Sequence, residues 1–398
     1  MNSYFGDKMK QKNAVYALSA DPIHKGHLYN IETAAKTELF DNIYVAIAAG
    51  GNSSKKYMFS PEERVWLAKK TIAPLDLDNV IIESFSGMMA HYAYERNAKT
   101  LIRGSRIGSD FEYEQKLAEY NQKYGLITFV VPSIKEIGDL SSTFLKEIIK
   151  SGGLLLDHKP GSQPINHTHV TVKQALEERV QNVSLIGVTG NMGAGKTTYC
   201  AELEKVGRAA GLDITHYDVD KKVHGFYRSD SPAFLNVYEQ IKNLFGIDAC
   251  QSDQINREIF APIVWGDEEK RNKLNKILFE PYLIEFEKTI ANNQGIVLFD
   301  AAYLVEYQMM DWVNNNVILV RCDEKERSKR VMNRDGINLD EFNKKTKIQL
   351  FSEEQKKEIL RKQEKDQHGF FYEVDSQKPN FEEIISLLKK NFPMFKNK

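Results

Sequence analysis

The chain has 398 residues, of which 42% are hydrophobic and 27% are charged, and its formal net charge at pH 7 is -1. This length is typical of two domains of ordinary size, and the hydrophobic fraction is too high for a disordered chain. The near-neutral charge gives no support to a general nucleic-acid or membrane binder, so we expect small molecules as partners. Composition leaves the oligomeric state open.

Cysteine usage and the absence of targeting patterns bear on the compartment. The three cysteines lie far apart, without a Cys-x-x-Cys pair. This spacing argues against a zinc site or a disulfide framework and suits a reducing compartment. No apolar stretch approaches the ~18 residues that span a bilayer, and the first residues lack a signal-peptide core. We therefore expect a cytoplasmic protein.

Short apolar runs alternate with longer amphipathic segments along the chain. Strands are predicted at 14–18, 42–48, 80–82, 100–102 and 127–131, and helices at 61–71 and 110–124. Alternating strands and helices predict α/β domains with parallel sheets covered by helices. Ligands of such sheets bind at the carboxyl ends of the strands.

The first candidate loop, residues 21–27, reads Asp-Pro-Ile-His-Lys-Gly-His and follows the predicted strand 14–18. A helix beginning near Gly26 would make this loop an anion cradle, because helix N-terminal amides and the helix dipole favour phosphate. His24 and His27 are three residues apart, so both can face one pocket and stabilise charge at phosphorus. Taken alone, the histidine spacing fits a nucleotide site and a loop with two incidental histidines equally well.

Four further segments make the pattern more specific. They are Lys-Lys-Tyr-Met-Phe-Ser-Pro-Glu-Glu-Arg at 55–64, Arg-Gly-Ser-Arg at 103–106, Asp-Phe-Glu-Tyr-Glu at 110–114 and Ser-Ser-Thr at 141–143. With loop 21–27, they resemble the phosphopantetheine adenylyltransferase family of the nucleotidyltransferase superfamily over residues 14–152. Two departures are Leu-Ser-Ala at 18–20, where that family has Gly-Thr-Phe, and His24, where it commonly has threonine.

The resemblance implies roles for the matching residues. His27 would stabilise the transition state at the α-phosphorus of ATP, with Lys55 and Arg103 as further catalytic groups. Met89 would contact the pantetheine arm of the substrate. The residues that the resemblance places around the nucleotide and its phosphates are Ser19, His24, Gly104, Arg106, Asp110, Glu114, Ser141, Ser142 and Thr143.

The strand and helix pattern loosens after residue 152. Glycine and proline recur between 152 and 164, and three histidines (158, 167 and 169) have no regular spacing. We interpret residues 153–170 as an exposed insertion, because turn-forming residues interrupt every periodic pattern there. The predicted domains are residues 12–182 and residues 183–398.

The second candidate loop, residues 190–197, reads Gly-Asn-Met-Gly-Ala-Gly-Lys-Thr and fits the P-loop pattern in full. It follows a predicted strand at 183–188 and precedes a predicted helix at 198–206. Backbone amides of such a loop wrap phosphates, Lys196 would reach the β and γ oxygens, and Thr197 would be a ligand of Mg²⁺ bound with ATP. The predicted ATP-binding residues here are Gly190, Gly193, Gly195, Thr197, Thr198 and Arg334.

Acidic residues follow the P-loop in the chain. Residues 214–220 predict a short strand that ends in Asp218 and Asp220, and residues 296–300 predict another that ends in Asp300. A carboxylate at such a position can accept the proton of an attacking hydroxyl.

A basic helix follows a predicted strand at 317–320. It carries Arg327, Arg330 and Arg334. Arginines on such a segment commonly close over a transferring phosphate, although an ordinary charged helix face has the same pattern.

This half resembles the dephospho-coenzyme A kinase family. The matching segments are Thr-Gly-Asn-Met-Gly-Ala-Gly-Lys-Thr at 189–197, Asp-Val-Asp at 218–220, Ile-Asn-Arg at 255–257, Asp-Ala-Ala-Tyr-Leu-Val-Glu at 300–306 and Arg-x-x-x-Arg at 330–334. The resemblance implies Asp220 as the base for the ribose 3′-hydroxyl, Lys196 and Arg330 as catalytic groups, and Arg257 and Asp300 at the substrate. Departures are Glu280 for the family's histidine and Ala302 for its proline, and its late Ala-Asp…Asn element is not clear near 366–375.

The two resemblances fall on consecutive steps and together resemble bifunctional coenzyme A synthases. They imply a Rossmann-like nucleotidyltransferase domain and a P-loop kinase domain, both doubly wound parallel sheets. The implied reaction is adenylyl transfer to 4′-phosphopantetheine, then phosphorylation of dephospho-coenzyme A, with two Mg-ATP. One alternative is a fusion of nicotinamide-mononucleotide adenylyltransferase with ribosylnicotinamide kinase, which His24 favours. Another is an adenylyltransferase whose P-loop domain only senses nucleotides.

Overall fold

The computed structural model describes residues 12–50, 56–105, 111–134, 140–157, 165–245, 250–251, 254–256, 259, 263–264, 267–346 and 351–392. Contacts divide the chain into two compact units, residues 1–147 with 167–172 and residues 148–166 with 173–398. Residues 148–166 and 173–182 thus contact the second unit, whereas the sequence analysis places them in the first domain. The predicted domain boundary itself stays a prediction.

The first unit contains a parallel sheet with the strand order β3-β2-β1-β4-β5. Its elements are β1 (Asn13–Leu18), α1 (Lys25–Ala35), β2 (Asn42–Ala48), α2 (Pro61–Ile72), β3 (Val80–Phe85), α3 (Met89–Glu95), β4 (Ala98–Ser105), α4 (Phe111–Gln122), β5 (Ile127–Pro132) and α5 (Ser142–Lys150). The strand order reverses between β1 and β4, and the crevice at such a switch point is where doubly wound sheets bind ligands.

The second unit contains a parallel sheet with the order β14-β13-β8-β12-β9. Its elements begin with β6 (Leu156–Asp157), β7 (Ile165–Asn166), α6 (Val170–Leu176), β8 (Val183–Thr189), α7 (Lys196–Ala209), β9 (Ile214–Asp218), α8 (Val219–Gly225), α9 (Phe234–Phe245), β10 (Cys250–Gln251) and β11 (Gln254–Ile255). They continue with α10 (Glu268–Asn292), β12 (Gly295–Asp300), β13 (Val317–Arg321), α11 (Glu324–Asp335), α12 (Leu339–Thr346), α13 (Glu353–Gln367), β14 (Phe371–Asp375) and α14 (Phe381–Asn391).

The predicted fold class is confirmed, since both units are α/β with five-stranded parallel sheets and helices. All residues of β8 and β12 are buried. Such continuous apolar strands are typical of parallel sheets covered on both faces. Two apolar clusters fill the second unit, one built around Trp312 and Phe286 and the other around Cys200 and Ile318.

Two details of the sequence analysis are wrong. The segment 153–170 is not an exposed insertion throughout, because Leu154, Leu155, Thr168 and Val170 are buried. Turn-forming residues interrupt the periodicity, but the apolar side chains between them still pack. The strand predicted over 214–220 ends at Asp218, which caps α8 by accepting a hydrogen bond from the Lys221 amide. Asp220 therefore lies in the first turn of a helix.

Candidate functional sites

The first unit has a cleft of about 260 Å³ at the carboxyl ends of β1 and β4. Its lining combines strand ends with the first turn of α1. The lining residues are Tyr16, Ala17, Leu18, Ser19, His24, Gly26, His27, Tyr29, Asn30, Arg103, Gly104, Ser105, Ser133 and Leu140. The fold thus brings five predicted residues from two distant segments to one cleft: Ser19, His24, His27, Arg103 and Gly104.

His24 and His27 close the N-terminus of α1 by a reciprocal capping box. His24 Nδ1 accepts a hydrogen bond from the Gly26 amide at 3.1 Å, and His27 Nδ1 accepts one from the His24 amide at 3.2 Å. The ring centroids are 3.8 Å apart. Since each Nδ1 is an acceptor, a neutral ring carries its proton on Nε2, the nitrogen that can donate to a phosphate oxygen.

The loop before α1 is fixed by the buried carboxylate of Asp21. It accepts hydrogen bonds from the amides of Met58 and Phe59 at about 3.0 Å and from Lys146 Nζ at 2.9 Å. Burial alone would raise the pKa of Asp21, but the Lys146 ammonium and the two amides outweigh it and lower that pKa. An ionised Asp21 therefore holds three distant segments of the first unit together.

Arg64 anchors the same loop from the other side. The guanidinium is fully buried, donates from Nη1 to the Ser19 carbonyl at 2.6 Å and from Nε to the Phe59 carbonyl at 3.2 Å, and lies 4.1 Å from the centre of the Tyr57 ring. In segment 18–20 the left-handed backbone is not at the position of the family's glycine. Ala20, not Leu18, has a left-handed backbone, with φ of 48°.

A side chain at Gly104 would require Asn30 to move. A Cβ on Gly104 would be 2.1 Å from Asn30 Nδ2, which donates to the Tyr16 hydroxyl at 3.0 Å. The three residues line the cleft. Glycine here lets β4 approach the Asn30 side chain of α1 closely.

Other predicted residues of the first site have different positions. Ser142 donates from Oγ to the Pro22 carbonyl at 2.8 Å, so the turn 141–143 is joined to the phosphate loop. Met89 begins α3, packs against the apolar cluster around Tyr92 and is not among the residues that line the cleft. Lys55, Arg106 and Asp110, and the side chain of Glu114, lie outside the described residues.

The P-loop of the second unit connects β8 to α7. Gly193 has φ of +81°, and a Cβ there would lie 2.7 Å from Val331 Cγ2 and 2.8 Å from the Arg327 carbonyl oxygen. Helix α11 therefore packs directly on the loop. Gly190 and Gly195 also have positive φ, as a loop whose amides converge on phosphate requires.

Lys196 lies against the loop itself in this structure. Its Nζ donates to the carbonyl oxygens of Gly190 at 3.0 Å and Asn191 at 3.4 Å. Desolvation lowers the pKa of Lys196, and the nearby carboxylates of Asp300 and Asp220 oppose that shift. A nucleotide's β and γ oxygens would replace those carbonyls as acceptors.

The Thr197 hydroxyl donates to Asp300 Oδ2 at 2.7 Å. Thr197 lies in the first turn of α7. Asp300 is the last residue of β12, the strand beside β8. A hydroxyl next to a carboxylate is a set of oxygen ligands that suits Mg²⁺. Thr198 follows in the same helical turn, and Arg257 lies outside the described residues.

Asp220 lies in the first turn of α8, near the charged groups of Lys196, Asp218 and Asp300. Partial desolvation raises the pKa of Asp220, the two carboxylates add to the rise, and Lys196 opposes it. The side chain keeps access to solvent. A carboxylate with a raised pKa beside a phosphate-binding lysine can act as a general base.

The predicted lid arginines differ in their contacts. Arg330 donates to Glu326 Oε1 at 3.1 Å and to Ser376 Oγ at 3.2 Å, and its Nη1 is 3.0 Å from the Cβ that Gly195 would carry. Arg334 is engaged by Asp335, which raises the pKa of Arg334. Arg330 thus lies at the P-loop, whereas Arg334 is paired with Asp335.

The backbone at Ala302 is held by two side chains. The Ala302 carbonyl accepts hydrogen bonds from Thr189 Oγ1 at 3.2 Å and from Lys356 Nζ at 3.1 Å. Lys356 also forms an ion pair with Glu306 at 2.9 Å, and both side chains are fully buried. This network holds the segment after β12 against the end of β8.

Sequence reasoning assigned no role to Asp21, Arg64, Lys146, His216 and Lys356. Asp21 and Arg64 stand inside the quoted family segments, so their motif position was an available signal. Lys146, His216 and Lys356 lie in ordinary-looking elements. Only the folded chain brings them to the two loops.

Two families of known proteins match successive parts of the chain. Residues 19–188 match the cytidylyltransferase-like family, and residues 184–360 match the dephospho-CoA kinase family. The chain therefore combines a cytidylyltransferase-like domain with a dephospho-CoA-kinase-like P-loop domain. No helix in the described part of the chain has both the length and the apolar character needed to cross a membrane.

Three solved structures are similar to parts of the chain. TT1252 from Thermus thermophilus has 23% identity and a TM-score of 0.40, over 53% of this chain and 98% of that chain. The NadR protein, solved with NAD and AMP-PNP, has 14% identity and a TM-score of 0.30, over 96% of each chain. A lipopolysaccharide core biosynthesis protein from Thermoplasma volcanium GSS1 has 20% identity and a TM-score of 0.24, over 31% of this chain and 98% of that chain.

Proposed function

We propose that this chain makes coenzyme A from 4′-phosphopantetheine in two transfers, each at the phosphate loop of one unit. The observation that carries the proposal is the pairing itself. A cleft lined by Ser19, His27 and Arg103 belongs to a cytidylyltransferase-like domain, and a complete P-loop belongs to a dephospho-CoA-kinase-like domain. The product of an adenylyl transfer to 4′-phosphopantetheine is the substrate of such a kinase.

In the first transfer, the phosphate of 4′-phosphopantetheine attacks the α-phosphorus of ATP and pyrophosphate leaves. His27 and Arg103 line the same cleft and are the groups that would stabilise the charge developing at that phosphorus. Positioning carries most of this chemistry, because the attacking oxygen is already ionised. The clamp of Asp21 and Arg64 on the loop supports that positioning.

In the second transfer, the ribose 3′-hydroxyl of dephospho-coenzyme A attacks the γ-phosphorus of a second ATP. Asp220 would accept the hydroxyl proton, and Lys196 and Arg330 would bind the phosphates being exchanged. The Thr197 hydroxyl and the Asp300 carboxylate would hold Mg²⁺, which neutralises phosphate charge when it is bound with ATP.

A second candidate keeps the architecture and changes the substrate. His24 stands where the phosphopantetheine family commonly has threonine, and here it is buried against His27. This observation favours nicotinamide mononucleotide as the adenylyl acceptor and a ribosylnicotinamide kinase in the second unit.

Product analysis by mass spectrometry distinguishes the two candidates. The purified full chain is incubated with Mg-ATP and either 4′-phosphopantetheine or nicotinamide mononucleotide. Coenzyme A from the first mixture, and no dinucleotide from the second, is the expected result. A pyridine dinucleotide would establish the second candidate, and dephospho-coenzyme A as the final product would leave the second unit as a nucleotide-binding module.

A further inference from the structure

Three side chains with metal-binding atoms meet beside the P-loop, although the cysteine spacing in the sequence argues against a zinc site. Cys200 lies in α7, His216 in β9 and Asp300 at the end of β12. The Cys200 sulfur, a His216 ring nitrogen and an Asp300 carboxylate oxygen all lie within 4.8 Å of one another. Cys200 and Asp300 are buried, whereas 12% of the His216 side chain is exposed.

The spacing of two of these atoms already matches a tetrahedral metal site. His216 Nε2 is 3.3 Å from Asp300 Oδ2. Zinc binds histidine nitrogen and carboxylate oxygen at about 2.1 Å, so two such ligands at a tetrahedral angle are about 3.4 Å apart. A zinc-bound sulfur lies about 2.3 Å from the metal and about 3.6 Å from the other ligand atoms, so the thiol completes the third position by closing in from within the 4.8 Å limit of the cluster.

The charge of the three groups also fits a divalent cation. One thiolate, one carboxylate and one neutral imidazole together balance the +2 charge of the cation, which lowers the cost of burying these groups. Binding breaks the Cys200 Sγ–H bond and forms an Sγ–metal bond, and the proton leaves to solvent. The partly exposed His216 gives the cation a path inward.

We propose that Cys200, His216 and Asp300 bind one thiophilic divalent cation of the zinc class. The mixture of sulfur, nitrogen and oxygen ligands selects such a cation over Mg²⁺, which prefers oxygen ligands alone. A fourth position is left for water or for the neighbouring Thr197 hydroxyl, which is 2.7 Å from the shared Asp300 oxygen.

Occupancy of this cluster has a consequence for the P-loop. Asp300 Oδ2 bonds to the Thr197 hydroxyl and is also the oxygen nearest to His216. A cation held by the cluster therefore engages the carboxylate that the second transfer uses. Zinc is expected to inhibit phosphorylation of dephospho-coenzyme A and to leave the adenylyl transfer unchanged; this consequence rests on the proposed function.

Cobalt(II) is the probe for binding, because a cobalt–thiolate bond absorbs in the near ultraviolet and reports the ligand directly. The full chain is titrated with Co²⁺ as wild type, Cys200→Ser, His216→Asn and two controls, Cys322→Ser and His91→Asn. Cys322 is another buried free cysteine, and His91 is exposed. One equivalent with a thiolate band is expected in wild type and both controls.

The two cluster variants test the ligands separately. Cys200→Ser is expected to lose the thiolate band, and His216→Asn to keep the cysteine and bind Co²⁺ at least about tenfold more weakly. Absence of the band in wild type would overturn the proposal, as would a band that survives Cys200→Ser. Because His216→Asn leaves Cys200 in place, unaltered binding there would also overturn it even if Cys200→Ser fails to fold.

Turnover measurements separate this inference from the proposed function. With Mg-ATP, zinc is expected to inhibit the kinase step of wild type and of Cys322→Ser, and not that of Cys200→Ser. Wild-type protein that binds one Co²⁺ through Cys200 but never phosphorylates dephospho-coenzyme A would contradict the proposed function and leave the metal site standing. Wild-type protein that phosphorylates dephospho-coenzyme A but shows no thiolate band would contradict the metal site and leave the proposed function standing.

Discussion

The two units hold their phosphate loops by different means. In the first, charged side chains fix the loop: Asp21 accepts three donors from distant segments, and Arg64 donates to the Ser19 carbonyl. In the second, Lys196 and Arg327 also donate to loop carbonyl oxygens, but the glycines are in addition closely packed, with α11 in contact at Gly193. The first loop should therefore respond to changes in charge and pH, and the second to changes in volume.

The largest effect is expected from Gly193→Ala. A Cβ there would lie 2.7 Å from Val331 and 2.8 Å from the Arg327 carbonyl, so the P-loop or α11 must move. Misplacement of phosphate-binding groups by about 1 Å can reduce a rate about 100-fold. Kinase turnover should fall by that order, and adenylyl transfer by the same chain should not change.

Gly211→Ala is the matched control. Gly211 has the same φ of +81°, but no atom lies within 4 Å of its Cβ position. The left-handed backbone alone should lower stability by about 1–2 kcal/mol and leave kinase turnover intact. Equal losses in the two variants would show that backbone strain, not packing against α11, is responsible.

Lys356→Met tests the buried ion pair of the second unit. Removing Lys356 leaves Glu306 buried without its partner, and such a change lowers the free energy of unfolding by about 3–5 kcal/mol. Denaturant titration of the full chain measures it. Adding Glu306→Leu should restore most of the loss, because no unpaired charge remains, whereas Lys205→Met, in an exposed pair with Glu202, should have little effect.

Asp21→Asn tests the charged clamp of the first unit. At neutral pH it should lower the free energy of unfolding by about 1–3 kcal/mol and slow adenylyl transfer, with the kinase step unchanged. Because the pKa of Asp21 is lowered by folding, its stabilisation is full above the ordinary aspartate value of about 3.9 and is lost as pH falls through the lower folded value. The difference in the free energy of unfolding between wild type and Asp21→Asn should therefore disappear at acidic pH.

Asp41→Asn is the control for that series. Asp41 is an exposed carboxylate that accepts the Lys12 amide at 2.7 Å. Its replacement should change stability by only a few tenths of a kcal/mol. A stability gap for Asp21→Asn that persists at low pH would contradict the electrostatic account of the clamp.

The smallest effect concerns the pH dependence of the kinase step. Desolvation raises the pKa of Asp220, and a general base must be ionised. As pH is lowered, kinase turnover should therefore begin to fall at a higher pH than it would with an aspartate of ordinary pKa. Solvent access at Asp220 limits the size of that displacement. A kinase profile that stays flat down to the ordinary aspartate range would argue against Asp220 as the base.

Much of the fold was predictable, because most strands of the two sheets contain a short apolar run and each phosphate loop has a distinctive sequence, whereas β14 (Phe371–Asp375) carries two acids and was not predicted. Residues 42–48 form a strand over the whole predicted range. The error at Asp220 has a local cause: Asp218 caps a helix, and a capping aspartate reads like the end of a strand.

The parts of the sites that sequence reasoning missed depend on contacts between distant segments. Lys146 reaches Asp21 across 125 positions, and Lys356 reaches Ala302 across 54. Neither lysine has a local pattern that distinguishes it from a solvated one. The cysteine spacing likewise gave no indication of the cluster of Cys200, His216 and Asp300, because its members belong to one helix and two strands that meet only in the folded chain.

The most direct test of two separate, consecutive sites is product analysis of crossed variants. His27→Ala and Lys196→Ala are each incubated with Mg-ATP and 4′-phosphopantetheine. In separate reactions, each variant is incubated with Mg-ATP and dephospho-coenzyme A. Lys196→Ala should stop at dephospho-coenzyme A, and His27→Ala should make nothing from 4′-phosphopantetheine but still convert added dephospho-coenzyme A to coenzyme A. Coenzyme A formed by Lys196→Ala, or dephospho-coenzyme A formed at the wild-type rate by His27→Ala, would contradict the account.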